Sequence, residues 1–218
     1  MAAQGADLID LGAQSTRPGA TDVGADTELE RLLPVLKRLQ QARQEADLPA
    51  ELLFSIDTFL APVARACLEA GADWINDVSG GLADPQMWPT IADYGCPYVL
   101  MHRRGDARSM DSLAHYDDVV SEVETELLRL CEQALQAGVQ PQQLVLDPGI
   151  GFAKTTEHNL ELLRGLPRLQ RLGYPLLVGP SRKRFIGEVL GESRPQARLW
   201  GTAASVCQAV AAGTAVVR

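Results

Sequence analysis

"LVLDPGIGF", residues 144–152, sets a carboxylate at the end of an apolar run. Leu144, Val145 and Leu146 read as a strand buried on both faces, and Asp147 follows at once, ahead of Pro148, Gly149 and Gly151. Such a strand rejects an unpaired charge, because burial either costs several kcal/mol or shifts the group's pKa. Two readings stand open. Asp147 closes the strand in an Asx-type turn, since Asp-Pro-Gly is ordinary turn chemistry, or it meets a partner. The other strand ends of the chain bear on the choice.

Seven apolar runs are present. Six follow a glycine that ends a helical pattern: Gly5, Gly71, Gly95, Gly138, Gly173 and Gly213. A glycine just past a helix can take the left-handed conformation that closes it. The seventh run, "LLFSIDT" at 52–58, arrives through "DLPAE" without one. Between the runs lie helical patterns, clearest where Val119, Val120, Val123, Leu127, Leu130, Cys131, Ala134 and Leu135 share one face. Alternating strand and helix predicts a parallel sheet covered by helices, either a barrel or a doubly wound sheet.

Polar residues separate the two. A (β/α)₈ barrel carries its chemistry at the carboxyl ends of many strands, and here the ends carry Asp57, Asn76 with Asp77, His102, Asp147, Ser181 with Lys183, and Arg218. A doubly wound sheet would gather its site at one switch point, usually with a G-x-G-x-x-G fingerprint, and the sequence has none. The expected fold is therefore α/β, a (β/α)₈ TIM barrel that is incomplete, with seven of eight strands visible and "MAAQG" as the tail of a helix. No linker or low-complexity run divides it, so residues 1–218 are expected to be a single, partial barrel domain.

Composition narrows the function. A net charge of −8 with 46% hydrophobic residues argues against nucleic acid, which needs a basic face. The apolar stretch Gly201 to Val217 is interrupted by Thr, Ser, Gln and Gly, and residue 1 opens no signal peptide, so no membrane partner is expected and the location is read as cytoplasmic. Cys67, Cys96, Cys131 and Cys207 are far apart and read as reduced thiols. His115 and His158 read as helix-start residues and His102 as a strand-end hydrogen-bonding residue, with no metal-like spacing among them. No G-x-S-x-G elbow or P-loop is present, so nucleophilic Ser or Cys catalysis is not indicated.

The polar segments suit an anion beside a flat ring. In "STRPGA", residues 15–20, Thr16 and Arg17 offer a hydroxyl and a guanidinium fork fit for phosphate, next to the turn formers Pro18 and Gly19. The plainer reading is a turn with a solvated arginine. "SRKR" at 181–184 opens a helix with cations, which oppose the helix dipole unless an anion binds. Asp57, Asn76 and Asp147 could accept from the N–H edge of an amino-pyrimidinone ring resting on Met101 or Phe152, with Lys183 compensating Asp147. Asp and Asn clusters also coordinate Mg²⁺, so a metal reading remains open here.

Taken in order, "STRPGA", "SIDT", "INDVSGG", "VLMH", "LDPGIGF" followed by Lys154 and "HN", and "SRKRFIG" resemble the dihydropteroate synthase family of the folate pathway over essentially the whole chain. The resemblance implies a transferase on a (β/α)₈ barrel. Its reaction joins 6-hydroxymethyl-7,8-dihydropterin diphosphate to 4-aminobenzoate, giving 7,8-dihydropteroate and diphosphate with Mg²⁺. It implies that Asp57, Asn76, Asp147 and Lys183 hold the pterin, with Met101 and Phe152 near its ring. Thr16 and Arg218 would meet the diphosphate. Arg17 and Pro18 would cover 4-aminobenzoate, whose carboxylate lies near Lys183 and Arg184. Lys183, Asp147 and Arg218 are the residues expected to carry catalysis, and a homodimer is the expected assembly.

The chain also departs from the family pattern. The family opens with a strand bearing an "NVTPDSF"-type loop, whose asparagine serves the Mg²⁺ site, and closes with "R-x-H" and a helix. Neither segment lies within these 218 residues, so no metal ligand is assigned, and the expectation for them taken alone is weak pterin binding with little turnover. Ala13, Gln14 and Ala153 replace the family's more frequent Gly, Glu and Gly with side chains that stay small or polar. Two other readings share the barrel and its strand ends: a pterin-dependent methyltransferase, which would not need "STRPG" or "SRK", and a non-catalytic pterin-binding chain.

Overall fold

Strand and helix alternate from end to end in the computed structural model, which describes residues 1–16 and 19–218. The order is β1 (Leu8–Gly12), α1 (Ala25–Gln44), β2 (Leu53–Asp57), α2 (Ala61–Glu69), β3 (Trp74–Asp77), α3 (Met87–Tyr94) and β4 (Tyr98–Met101). It continues with α4 (Val119–Gln136), β5 (Leu144–Asp147), α5 (Thr156–Gln170), β6 (Leu177–Val178), α6 (Arg184–Leu190), α7 (Leu199–Ala211) and β7 (Val216–Val217). The residues before β1 are a 3₁₀ turn, Ala2–Gln4, closed by Gly5. The six glycines that the sequence reads as helix closers all take positive φ. Two details differ from the sequence reading: β6 and β7 are joined by two helices, and His115 lies in the connection before α4 rather than at its start.

All strands are parallel, and each pairs with its neighbour in sequence from β1 through β5. β6 and β7 pair with each other, and the Leu146↔Leu176 bridge joins them to β5. This order never reverses. A doubly wound sheet must reverse at its switch point, so the chain winds in one direction as a barrel does. Among the described residues no ladder joins β1 to β7. Instead, the Arg218 guanidinium crosses to Asp10 on β1, with Nη1 3.3 Å from Oδ2.

Alternation along the strands sorts the side chains into two layers. Ile56, Ile75, Tyr98, Leu100, Leu146 and Val178 belong to the layer that packs on the helices, where α4 contributes Val119, Val123, Leu127, Leu130, Cys131 and Ala134. Their partners on the other face, Val99, Val145 and Leu177 with Trp74 and Val216, form a separate cluster inside the sheet. Each such apolar side chain fully buried contributes about 1.5–3 kcal/mol. One step further along the same inner face come Asp57, Asn76, Met101 and Asp147. Asp77 points the other way, where it accepts from the N–H groups of Ser79 and Gly81 and from the Tyr98 hydroxyl. It is a structural carboxylate.

The turn after β5 is built around Gly149. Its φ is +70°, and a Cβ there would run into the carbonyl of His102. A side chain at this position is therefore both strained and blocked. We expect Gly149→Ala to lose at least about 2 kcal/mol of stability, the scale of combined backbone strain and overpacking. Urea unfolding checks it, and an unchanged midpoint would contradict this account of the turn.

Candidate active site

The parallel register lines the inner strand ends up side by side. Gly12 stands opposite Asp57, Asp57 opposite Asn76, and Met101 opposite Asp147. A Cβ on Gly12 would stand 3.4 Å from that of Asp57, in ordinary contact with it. Asn76 donates from Nδ2 to Asp10 Oδ2 at 2.9 Å, which turns its carbonyl oxygen toward other donors. Asp147 Oδ1 accepts from the Gly149 N–H at 2.7 Å. Asp147 therefore does close an Asx turn, and the same carboxyl faces the mouth of the sheet. The two readings of the opening motif are compatible, because a carboxylate has more lone pairs than one N–H can occupy.

The mouth concentrates buried charge. Burial first, and then the Asp10 charge, push Asp57 up to about 7, with Arg218 opposing them. Burial also raises Asp147, while the Gly149 N–H, Arg218, Lys183 and Lys154 hold it down in that order. Lys183 is lowered to about 8 by burial, with Asp147 resisting. Lys183 makes no ion pair within 4 Å among the described residues; its Nζ lies 4.2 Å from the centre of the Phe152 ring, a cation–π contact. Compensation of Asp147 is thus shared among three cations, where the sequence reading gave it to Lys183. Asp57 Oδ1 and Asp10 Oδ1 are buried without a hydrogen-bond partner. Buried polar atoms in proteins are nearly always satisfied, so these two are acceptors suited to an incoming N–H donor.

Beside this ring opens a cavity of about 750 Å³, lined by Thr16, Phe152, Lys183, Arg184 and Arg218 among others. The structure thus brings the expected residues to one end of the sheet. Thr16, Lys183 and Arg218 reach it from three separate connections or ends, and Met101 and Phe152 pack together with Val78, Met110 and Ala153 in a small apolar cluster. Arg184 is more exposed and sits 3.6 Å from Asp111. Arg17 and Pro18 lie outside the described residues.

Asp10, Lys154 and Glu126 were not legible as site residues in the sequence. Asp10 is a lone acid in β1 until Asn76 and Arg218 converge on it. Lys154, 4% exposed, places Nζ 3.0 Å from His102 Nδ1 and donates to the Phe152 carbonyl at 2.9 Å. His102 continues to Glu126 on α4, Nε2 to Oε2 2.9 Å. Only the run "GFAK" directly after the Asp147 turn signals Lys154 in advance.

The whole chain, residues 1–218, matches the family described as pterin binding enzyme. It is 49% identical over 214 residues to a Synechocystis protein named dihydropteroate synthase, covering 98% of this chain and 72% of that protein. Among solved structures it is similar to a Xanthomonas albilineans dihydropteroate synthase with 4-aminobenzoic acid, at 43% identity and a TM-score of 0.90, covering 100% of this chain and 74% of that one. The same organism's enzyme in complex with 7,8-dihydropteroate matches at 40% identity and a TM-score of 0.87, over 100% and 76% of the two chains.

The raised Asp57 fixes a sign for the pH dependence of stability. The folded chain holds its proton more tightly than the unfolded chain does. Its share of stability is therefore full below the ordinary pKa of 3.8 and is lost as pH rises through about 7. We expect Asp57→Asn, which cannot ionise, to melt above the parent protein at pH 8 and close to it at pH 4. Thermal unfolding at both pH values decides, and a gap that does not change with pH would exclude Asp57 as the source.

Proposed function

We propose, because the chain belongs to the pterin binding enzyme family, that residues 1–218 form one barrel domain of a dihydropteroate synthase. The reaction is condensation of 6-hydroxymethyl-7,8-dihydropterin diphosphate with 4-aminobenzoate to 7,8-dihydropteroate and diphosphate. The observation that carries this reading is the inner ring of acceptors, with Asp57 Oδ1 buried and unpartnered beside Asn76 and Asp147, next to a cavity holding Lys183 and Arg218. A flat heterocycle with several N–H donors and a carbonyl fits such a set.

In this reading Asp147 and the Asn76 carbonyl accept from the amino-pyrimidinone edge, Lys183 donates to the ring carbonyl, and Met101 and Phe152 bound the ring. Asp57 accepts on the side nearer the methylene. The C–O bond to diphosphate breaks with its electron pair leaving on oxygen, and Arg218 and the Thr16 hydroxyl stabilise that anion. The arylamine nitrogen then forms the new C–N bond and loses one proton to water. Orientation and charge stabilisation do the chemical work, and no side-chain nucleophile takes part. Arg17 and Pro18 would cover the arylamine, with its carboxylate near Lys183 and Arg184.

Mg²⁺ belongs to this reading only through the diphosphate. Among the described residues no group of three or more His, Cys, Asp or Glu side chains is set to hold a metal ion, so they form no magnesium cage. Phosphate oxygens are common Mg²⁺ ligands, and the ion would add neutralising charge there. The cytoplasmic location and the homodimer are further parts of the proposal. Among the described residues no helix is long and apolar enough to cross a membrane.

Two substitutions in the full-length protein test the roles. Asp147→Asn keeps the turn but swaps an acceptor for a donor, so pterin binding should weaken by about 1–3 kcal/mol with little change in melting. Calorimetry with 6-hydroxymethyl-7,8-dihydropterin reads it, and equal affinity would return Asp147 to a turn former alone. Lys183→Ala should impair use of both substrates in a diphosphate-release assay. Transfer of a methyl group from a methylated folate to a thiol or corrinoid would instead mark a methyltransferase.

A further inference from the structure

Lys154 is a buried cation that the steps above do not use. Among the described residues no carboxylate lies within ion-pair distance of it; its contacts are His102 Nδ1 and the Phe152 carbonyl. Burial lowers it to about 7, while the Asp147 and Glu126 charges support its ammonium form and Lys183 and Arg104 oppose it. Tyr116 offers only a distant ring face, 5.9 Å from Nζ to its centre. An apolar residue of similar length would fill this space without the desolvation cost.

What the amine packs against is the Asp147 turn. Nζ lies 3.3 Å from where a Cβ on Gly149 would stand. His102, its hydrogen-bond partner, also donates its backbone N–H to the Asp147 carbonyl at 2.8 Å. The imidazole is held neutral, at about 4, by burial and by Lys154. Nδ1 therefore accepts from Lys154, and Nε2–H donates to Glu126. Glu126 is fixed by Arg104, whose Nε lies 3.1 Å from Oε1 and whose Nη2 also reaches Glu122 at 2.8 Å. One chain of contacts thus runs from the helix layer to the back of the turn.

We propose that Lys154, held through His102 by Glu126 and Arg104, is a positioning residue that keeps Asp147 ionised and its turn set to receive the pterin edge. This rests on the functional reading above. Asp147 faces Lys154 from its own connection, Lys183 from the β6–α6 connection, Arg218 from the end of β7, and the neutral His102 from β4. Lys154 lines the same cavity as Lys183 and Arg218, but its ammonium is engaged by His102 Nδ1 and the Phe152 carbonyl.

The test compares Lys154→Met and Glu126→Gln with the parent in the full-length protein. Removing a cation favours the protonated carboxyl, so the pH below which 6-hydroxymethyl-7,8-dihydropterin binding is lost should rise by about one unit in Lys154→Met. Glu126→Gln leaves Lys154 in place and protonated in the acid range where Asp147 titrates, so its limit should stay close to that of the parent. KM for the pterin diphosphate should rise as pH falls while kcat at saturation changes by less than about threefold. Carbon-13 NMR of the Asp147 carboxyl in the ligand-free protein, assigned with Asp147→Asn, gives the same shift without relying on binding. If the parent fails to bind pterin, the functional reading fails, and the carboxyl titration still decides the role of Lys154. A titration unmoved in Lys154→Met, or an affinity loss equal at every pH, would overturn the proposal.

Discussion

Six charges share the mouth of this sheet: Asp10, Asp57 and Asp147 against Lys154, Lys183 and Arg218. Asp147 and Lys154 are buried, and burial moves the titration of several of these groups. The consequence is visible in Asp57, raised to about 7, and in Lys183 and Lys154, lowered to about 8 and about 7. A set balanced in this way responds strongly to an incoming group, because each new donor or anion changes which of the others is charged. The site is organised for a ligand that brings donors to the acids and negative charge to the cations.

The backbone makes that concentration possible. Parallel strands in sequential order end at one level, and the two-residue period of a strand returns every second side chain to the interior. Apolar residues fill the lower interior layer and polar ones the next, so the same pattern that packs Val99, Val145 and Leu177 brings Asp57, Asn76 and Asp147 together. The candidate site occupies the last inner layer of the barrel, where packing gives way to solvent and connections contribute cations.

The connections are held by specific contacts of their own. Gly149 allows the chain to pass against His102, and Asn159 on α5 accepts from the Gly151 N–H at 2.6 Å while donating to the Thr155 carbonyl. These contacts fix where Phe152 and Lys154 emerge. The Lys183 ammonium then rests on the Phe152 ring, so two loops from different strands are coupled through a single cation–π contact of modest strength.

Much of this was determined by local sequence. Glycines after helical patterns, short apolar runs and polar residues closing them are signals carried by a few neighbouring residues, and they were enough for the barrel class, its seven strands and the strand-end positions of Asp57, Asn76, Asp147 and Met101. Whether a strand-end polar residue faces in or out was not settled by its type: Asn76 and Asp77 are adjacent, and the sheet's register sends one to the inner face and the other to Tyr98. Asp10 acquired its role from Asn76, 66 positions away in sequence. Lys154, His102 and Glu126 are likewise joined by packing between β4, the β5–α5 connection and α4. Sequence fixes which chemical groups are available and the period that exposes them, whereas burial and pairing, which set their charge, exist only once distant segments meet.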